Sequence, residues 1–326
     1  MTRCGTTRRG FVAAGSAILA GCSAESPRAK RAAGPAPLIS VLRQADYTQD
    51  IYDLVRRSLD LHKLDVRGKR VVLKPNLVEY EAGSVINTNP LVVHAALEGF
   101  RARGAASVTI AEGPGHRRGT LDLADAAGYF KIIPDFENVF TDLNLDEVSR
   151  VELVNPVSRH KSLYLPHTVL GCDLLVSLPK MKTHHWAVAT LSMKNFFGIV
   201  PGSVYGWPKN VLHWAGIHES IADIARHVPP TFALVDGVVG MEGNGPIQGT
   251  PKNAGVLVAG RDLAAVDATC CRLMQIDPLQ VTYLTLSRDA GQLTESATQQ
   301  IGEQPGNLNI GPFELLPQFQ QTRRGV

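Results

Sequence analysis

The chain is poor in cysteine, and none of its cysteines are spaced for metal chemistry. The five stand at positions 4, 22, 172, 270 and 271, with no C-x-x-C among them. That argues against a ferredoxin-like cluster or a cysteine zinc site within this chain. Cys270 and Cys271 fall in an expected helix, as small buried residues. Net charge is scarce too. The formal +3 comes from Arg3, Arg8 and Arg9, in an N-terminal stretch without acids; the 33 basic residues less these three leave 30, against 30 acidic ones. No whole-protein field for nucleic acid follows. The sequence has no P-loop ending in Gly-Lys-Ser/Thr, no G-x-G-x-x-G spacing and no G-x-S-x-G elbow. Nucleotide binding and serine hydrolysis therefore have little support. There is no internal repeat and, past the N-terminus, no apolar run of about 20 residues of the kind that spans a bilayer.

What is present is an ordinary globular composition. The 326 residues are 44% hydrophobic and 19% charged, enough for one large domain or two modest ones. The N-terminus is distinctive. Thr7-Arg-Arg-Gly-Phe11 resembles a twin-arginine export signal, and Leu19-Ala-Gly-Cys22 resembles a lipobox. Residues 1–21 are thus expected to be a signal peptide and Cys22 the lipidated residue. Residues 22–37, rich in Ala, Pro, Lys and Arg, read as a flexible tether. The expected location is outside the cytoplasm, reached by the twin-arginine route, with the membrane as partner through the lipid.

Residues 38–291 alternate apolar runs with helical spacing. Strands are expected at 38–42, 69–74, 107–111, 173–178, 231–235 and 255–259, and helices at 51–61, 90–103, 213–227 and 263–274. Asn89 and Pro90 suit an N-cap and first helical residue. This pattern predicts an α/β fold, a mostly parallel, doubly wound sheet with helices on both faces. A small antiparallel excursion is expected at 151–154 and 162–165. Residues 292–326 have little periodicity and read as an irregular tail.

The stretch around which the chain is organised is Ser177–Gly202, SLPKMKTHHWAVATLSMKNFFGIVPG. Pro179 is expected to end a buried strand, and Lys180, Lys182, His184 and His185 to follow in a loop. Lys194 and Asn195 come next, with Trp186, Phe196 and Phe197 tying the loop to the core. Lys74-Pro75-Asn76, Glu112–His116 and the Asp236 glycine-rich loop to Gly249 share the same layout, polar sequence after an apolar strand. In a parallel sheet such ends converge on one edge. Lys74, Lys180, Lys182 and Lys194 are expected to hold an anion, Asn76 and Asn195 to orient it, and Gly237 and Gly243 to bring backbone N–H groups close. His184, Lys182 and Glu242 are the candidates for moving a proton. Asp236 and Glu112 are the candidates for a divalent metal. Asp267, flanked by apolar residues in a helix, is expected to be paired or to cap.

Six segments together resemble a prokaryotic family known as domain of unknown function 362: Val72-Leu-Lys-Pro-Asn-Leu77, Thr88-Asn-Pro90, Ser177-Leu-Pro-Lys-Met-Lys-Thr-His184, Leu191-Ser-Met-Lys-Asn-Phe-Phe-Gly198, Val235-Asp-Gly237 and Gly243-Asn-Gly-Pro246. The resemblance implies an α/β fold and no assigned activity. Some relatives append ferredoxin-like cysteine clusters, which implies redox chemistry. This chain lacks those cysteines, so for any redox work electrons would come from a redox partner. The expected function is an exported lipoprotein enzyme acting on a small anionic substrate, with metal assistance or a redox link left open. The alternative is a non-catalytic lipoprotein that binds a ligand or cofactor.

Overall fold

The computed structural model describes residues 35–115, 119–287 and 293–325. The leader, Cys22, most of the tether and His116 lie outside them. The strands are β1 (Leu38–Arg43), β2 (Arg70–Pro75), β3 (Ser107–Glu112), β4 (Phe140–Asp142), β5 (Val148–Glu152), β6 (Ser162–Pro166), β7 (Leu174–Leu178), β8 (Lys180–His184), β9 (Val188–Thr190), β10 (Thr231–Asn244), β11 (Gln248–Gly260) and β12 (Gln299–Gly302). The main sheet has the order β12-β1-β11-β10-β7-β2-β3-β4. The run from β10 to β4 is parallel throughout, while β11 lies antiparallel between β10 and β1. The fold is therefore α/β, with a mixed and mostly parallel sheet. β5 and β6 pair antiparallel as a separate ribbon.

The sheet is buried on both faces because its strands carry apolar side chains at successive positions. Val71, Leu73, Leu174, Val176 and Leu234 pack into one core with Val55 and Leu59 of α1 (Asp50–Leu61) and Val92, Val93 and Phe100 of α2 (Pro90–Ala102). Val72, Leu175, Ala233 and Val235 point the other way, into a core with Val266, Cys270 and Leu273 of the helix Leu263–Leu273. That is the period of two expected of a strand covered on both sides. α2 starts as the sequence predicts: Asn89 Oδ1 accepts from Leu91 N at 2.9 Å, and Pro90 follows at the first turn.

Two local expectations are corrected. Lys180–His184 is not a loop after Pro179. It is β8, buried along its length, pairing with β10 and with β9. Pro179 interrupts the strand without ending its course, because its carbonyl still accepts from Asp236 N at 2.8 Å. The glycine-rich stretch after Asp236 is not a loop either. It forms the long ribbon of β10 and β11, in register from Val239–Asn253 to Asn244–Gln248. Its glycines serve close packing: a Cβ on Gly240 would lie 2.6 Å from the Met181 carbonyl oxygen. Residues 299–302 add β12 parallel to β1, and Phe313 is fully buried in the core. Among the described residues no helix is long and apolar enough to cross a membrane.

Candidate functional site

The C-terminal ends of β2, β3 and β8 open onto a cavity of about 250 Å³. Lys74 leaves the end of β2 and Glu112 the end of β3. Both are buried, and they meet with Nζ 2.5 Å from Oε2. Lys74 also donates to the Pro75 carbonyl at 2.7 Å and to Asn195 Oδ1 at 3.0 Å. Glu112 further accepts Leu77 N at 3.0 Å and Gly113 N at 2.9 Å. Asn195 is fixed in turn by donating to the Lys74 carbonyl at 2.9 Å and Ser177 Oγ at 3.0 Å. Burial lowers the Lys74 pKa, and Glu112 opposes that shift. The chain at Gly198 passes so near that a Cβ there would be 2.6 Å from Lys74 Nζ, a close approach that only glycine permits.

Three more lysines line the same cavity. Lys182 donates to the Ile86 carbonyl at 2.9 Å and the Pro246 carbonyl at 3.1 Å. Lys209 sits in a left-handed conformation, φ 67°, and donates to the carbonyls of Gly113 at 2.6 Å and Gly198 at 3.1 Å. Lys194 differs. Its Nζ lies over the Phe197 ring, 3.9 Å from the centroid, with no protein oxygen bound among the described residues. Burial, then the neighbouring Lys74 charge, brings its pKa down to about 7. Burial lowers Lys182 well below the ordinary lysine value, with Lys180, Lys194 and Lys74 adding to the shift.

Three histidines complete the lining. His184 Nδ1 accepts from Trp186 N at 3.0 Å and Ala187 N at 3.2 Å. A nitrogen that accepts carries no proton, so the neutral ring bears its hydrogen on Nε2. Burial and the lysine charges push its pKa well below the usual histidine value. His184 is thus a hydrogen-bond donor, not the proton acceptor among the three candidates for moving a proton. His185 is placed the other way. Nδ1 lies 2.8 Å from the Gly245 carbonyl, so it donates there and leaves Nε2 as an acceptor. Adjacent side chains on a strand point to opposite faces. These two rings stack at 4.8 Å because β8 ends at His184 and His185 already belongs to the turn. His213 has the same polarity as His185, with Nδ1 3.0 Å from the Lys209 carbonyl.

The cavity thus gathers Lys74, Asn76, Glu112, Lys182, His184, Lys194 and Asn195 from the expected residues. The others lie elsewhere. Lys180 is the cross-strand neighbour of Asp236, and their charges meet at 2.6 Å, with Tyr47 hydrogen-bonded to both. Asp236 also caps the approach to α2 by accepting Asn89 N at 2.9 Å. Glu242 lies away from the cavity, bound to Lys252 at 3.3 Å and to Glu314 N at 2.9 Å. Gly237 and Gly243 are residues of β10, their backbones used by the ribbon and by Thr183 and Glu314. A metal at Asp236 and Glu112 does not fit. Each carboxylate is held by its own lysine, and among the described residues no three His, Cys, Asp or Glu converge.

Sequence reading missed Lys209, His213 and Thr190. Lys209 and His213 come from a segment with no strand before it, so no pattern pointed to the sheet edge. Thr190 was legible as a polar residue inside the apolar run Val188–Leu191. Its Oγ1 is buried at the cavity without a hydrogen-bond partner, as is Asn76 Oδ1.

Comparison with known proteins places this geometry in a family. A thylakoid-associated protein of Synechocystis sp. is 28% identical over 232 residues, covering 69% of this chain and 68% of that protein. Among solved structures, the lactate racemase apoprotein of Thermoanaerobacterium thermosaccharolyticum aligns at 15% identity and a TM-score of 0.46, over 73% of this chain and 57% of that one. A Thermotoga maritima protein aligns at 13% identity and a TM-score of 0.36, over 70% and 59%. The chain therefore spans less than two thirds of each of these two structures. The family model described as domain of unknown function (DUF362) matches residues 71–272, which hold every lining residue of the cavity, and the chain belongs to that family.

Proposed function

We propose that the cavity binds a small organic anion and that its histidines move a proton on that ligand. One observation carries the reading. Four lysines and three histidines line the cavity, while Glu112, the single acidic residue among the described lining, is already held by Lys74. Positive groups that the protein leaves uncompensated are an invitation to an anion. The donors left over are the amine of Lys194 and Nε2–H of His184. The acceptors left over are Nε2 of His185 and His213. A donor set for the charge beside imidazole nitrogens free to accept is the equipment of general acid–base catalysis on an anionic substrate. About 250 Å³ gives room for a molecule of a few heavy atoms.

The test is native mass spectrometry on the full chain. A mass excess that denaturation removes, identified as a small carboxylate or phosphate and lost in Lys194→Met, supports the reading. A bare chain that also fails to bind any such anion in calorimetry contradicts it. Turnover then separates the two classes: an enzyme loses rate in His185→Gln with affinity kept, whereas a binding protein has no rate to lose.

The leader motifs support a second part of the proposal, that the protein is exported folded and anchored by a lipid on Cys22. Radiolabelled palmitate should enter the wild-type chain in a bacterial host and not Cys22→Ala. Equal labelling of both would rule the anchor out.

A further inference from the structure

Lysines 74, 182 and 209 are pinned in the cavity by two or more oxygen acceptors each. Lys180, outside it, is pinned by Asp236 and Tyr47. Lys194 alone among these has its amine against an aromatic face with no oxygen bound. The charged and titratable groups around it are Lys74, whose charge is paired with Glu112, and Lys182, Lys209, His184 and His213 about the same space. Such surroundings disfavour a second ammonium and leave an amine with its lone pair available. In its neutral form the amine is a good nucleophile toward a carbonyl carbon, and in its ammonium form it holds an anion. Meanwhile Nε2–H of His184 suits a carboxylate oxygen. Thr190 Oγ1, buried at the same wall without a partner, is left for an oxygen of the ligand.

We infer that Lys194 forms an imine with its ligand and that the ligand is a 2-oxo carboxylate. This rests on the anion-binding reading above and names its substrate class. The Lys194 nitrogen attacks the carbonyl carbon, forming a C–N bond, and its proton passes to the carbonyl oxygen. The carbinolamine then takes a second proton, from solvent, on that oxygen, the C–O bond breaks and water leaves, so that a protonated imine remains. No oxidant or reductant is consumed. The iminium acidifies the neighbouring C–H, and the acceptor nitrogen of His185 or His213 takes that proton.

The experiment uses the full-length protein with pyruvate as the probe. Pyruvate is added with and without sodium borohydride, which reduces an imine to a stable secondary amine, and the digested protein is mapped by mass spectrometry. The expected result is one reduced pyruvyl adduct on the peptide carrying Lys194, formed in preference to surface lysines and absent in Lys194→Met and Lys194→Arg. Calorimetry with pyruvate and with sulfate, which has no carbonyl, runs in parallel. Saturable binding of both without an adduct overturns the imine and leaves the anion site standing. Adducts scattered over surface lysines and unchanged in Lys194→Met overturn it as well. Absence of both binding and adduct removes the imine and the anion site together. Circular dichroism of Lys194→Met confirms that the fold survives, as expected for a side chain without hydrogen-bond partners.

Discussion

At the scale of single residues, the cavity shows what a buried charge requires. Lys74 and Glu112 are both buried: Lys74 spends its three N–H groups on Glu112, the Pro75 carbonyl and Asn195 Oδ1, and Glu112 accepts from Lys74, Leu77 N and Gly113 N. Removing one partner strands the other's charge. Glu112→Gln is therefore expected to cost about 3–5 kcal/mol of stability, read as a lower denaturation midpoint in urea. Pairing it with Lys74→Met should cost clearly less than the sum of the single changes. Lys194 gives the second residue-scale prediction. Its ammonium form exists below its pKa of about 7 and is lost above it. Affinity for sulfate, which does not titrate in this range, should fall as pH rises from 6 to 8, while borohydride trapping of pyruvate rises over the same interval. The same residues show how far sequence reading reaches. Lys180, Lys182 and His184 form one alternating set, and crowding of polar groups after an apolar strand was enough to single them out. What the pattern could not show is that β8 is a strand. Its alternation places Lys180 roughly 7 Å behind Lys182, opposite Asp236, where it is neutralised before it reaches the cavity.

At the scale of elements, the short helical turn Ser192–Asn195 positions Lys194 and Asn195, and Asp267 holds that turn. The Asp267 carboxylate accepts Ser192 N at 2.7 Å, Met193 N at 3.0 Å and the Ser192 hydroxyl. Burial raises its pKa to about 7, with the Ser192 hydroxyl and these N–H groups opposing the rise. An acid among apolar helix residues read as paired or capping, and it caps another element's N-terminus. Asp267→Asn replaces charge-assisted bonds, worth roughly 1.5–3 kcal/mol each, with weaker ones. It should leave the fold intact by circular dichroism and weaken sulfate binding about tenfold by loosening the turn. The stretch from Gly237 to Gly249 taught the opposite lesson. Glycines there suggested a ligand loop, yet the same lack of a side chain also lets a ribbon pack against its neighbours. Contact with Met181 decides between the two, and that contact is not visible in the local sequence.

At the scale of the whole molecule, parallel strands bring the ends of β2, β3 and β8 to one edge, as the alternation of apolar runs foretold. The segments that close the site, with Lys209 and His213, come from 202–214, short helices whose place against Gly113 and Phe197 depends on tertiary packing. The C-terminal segment belongs to the same body. β12 extends the sheet beside β1, and Phe313 and Leu315 are buried in the core. Deleting 293–326 should lower the thermal midpoint by several degrees or prevent folding, since each such side chain contributes about 1.5–3 kcal/mol through burial. An unchanged midpoint would show the segment to be dispensable.

The central claim is that the lysine-lined cavity binds a small organic anion through Lys194. Titration calorimetry of pyruvate into the full-length protein at pH 6.5, against Lys194→Met, tests it most directly. The account predicts saturable one-to-one binding to the wild type, weakened about tenfold or more in the variant, which corresponds to about 1.4 kcal/mol. Equal affinity for both proteins, or no saturable binding to either, would contradict it.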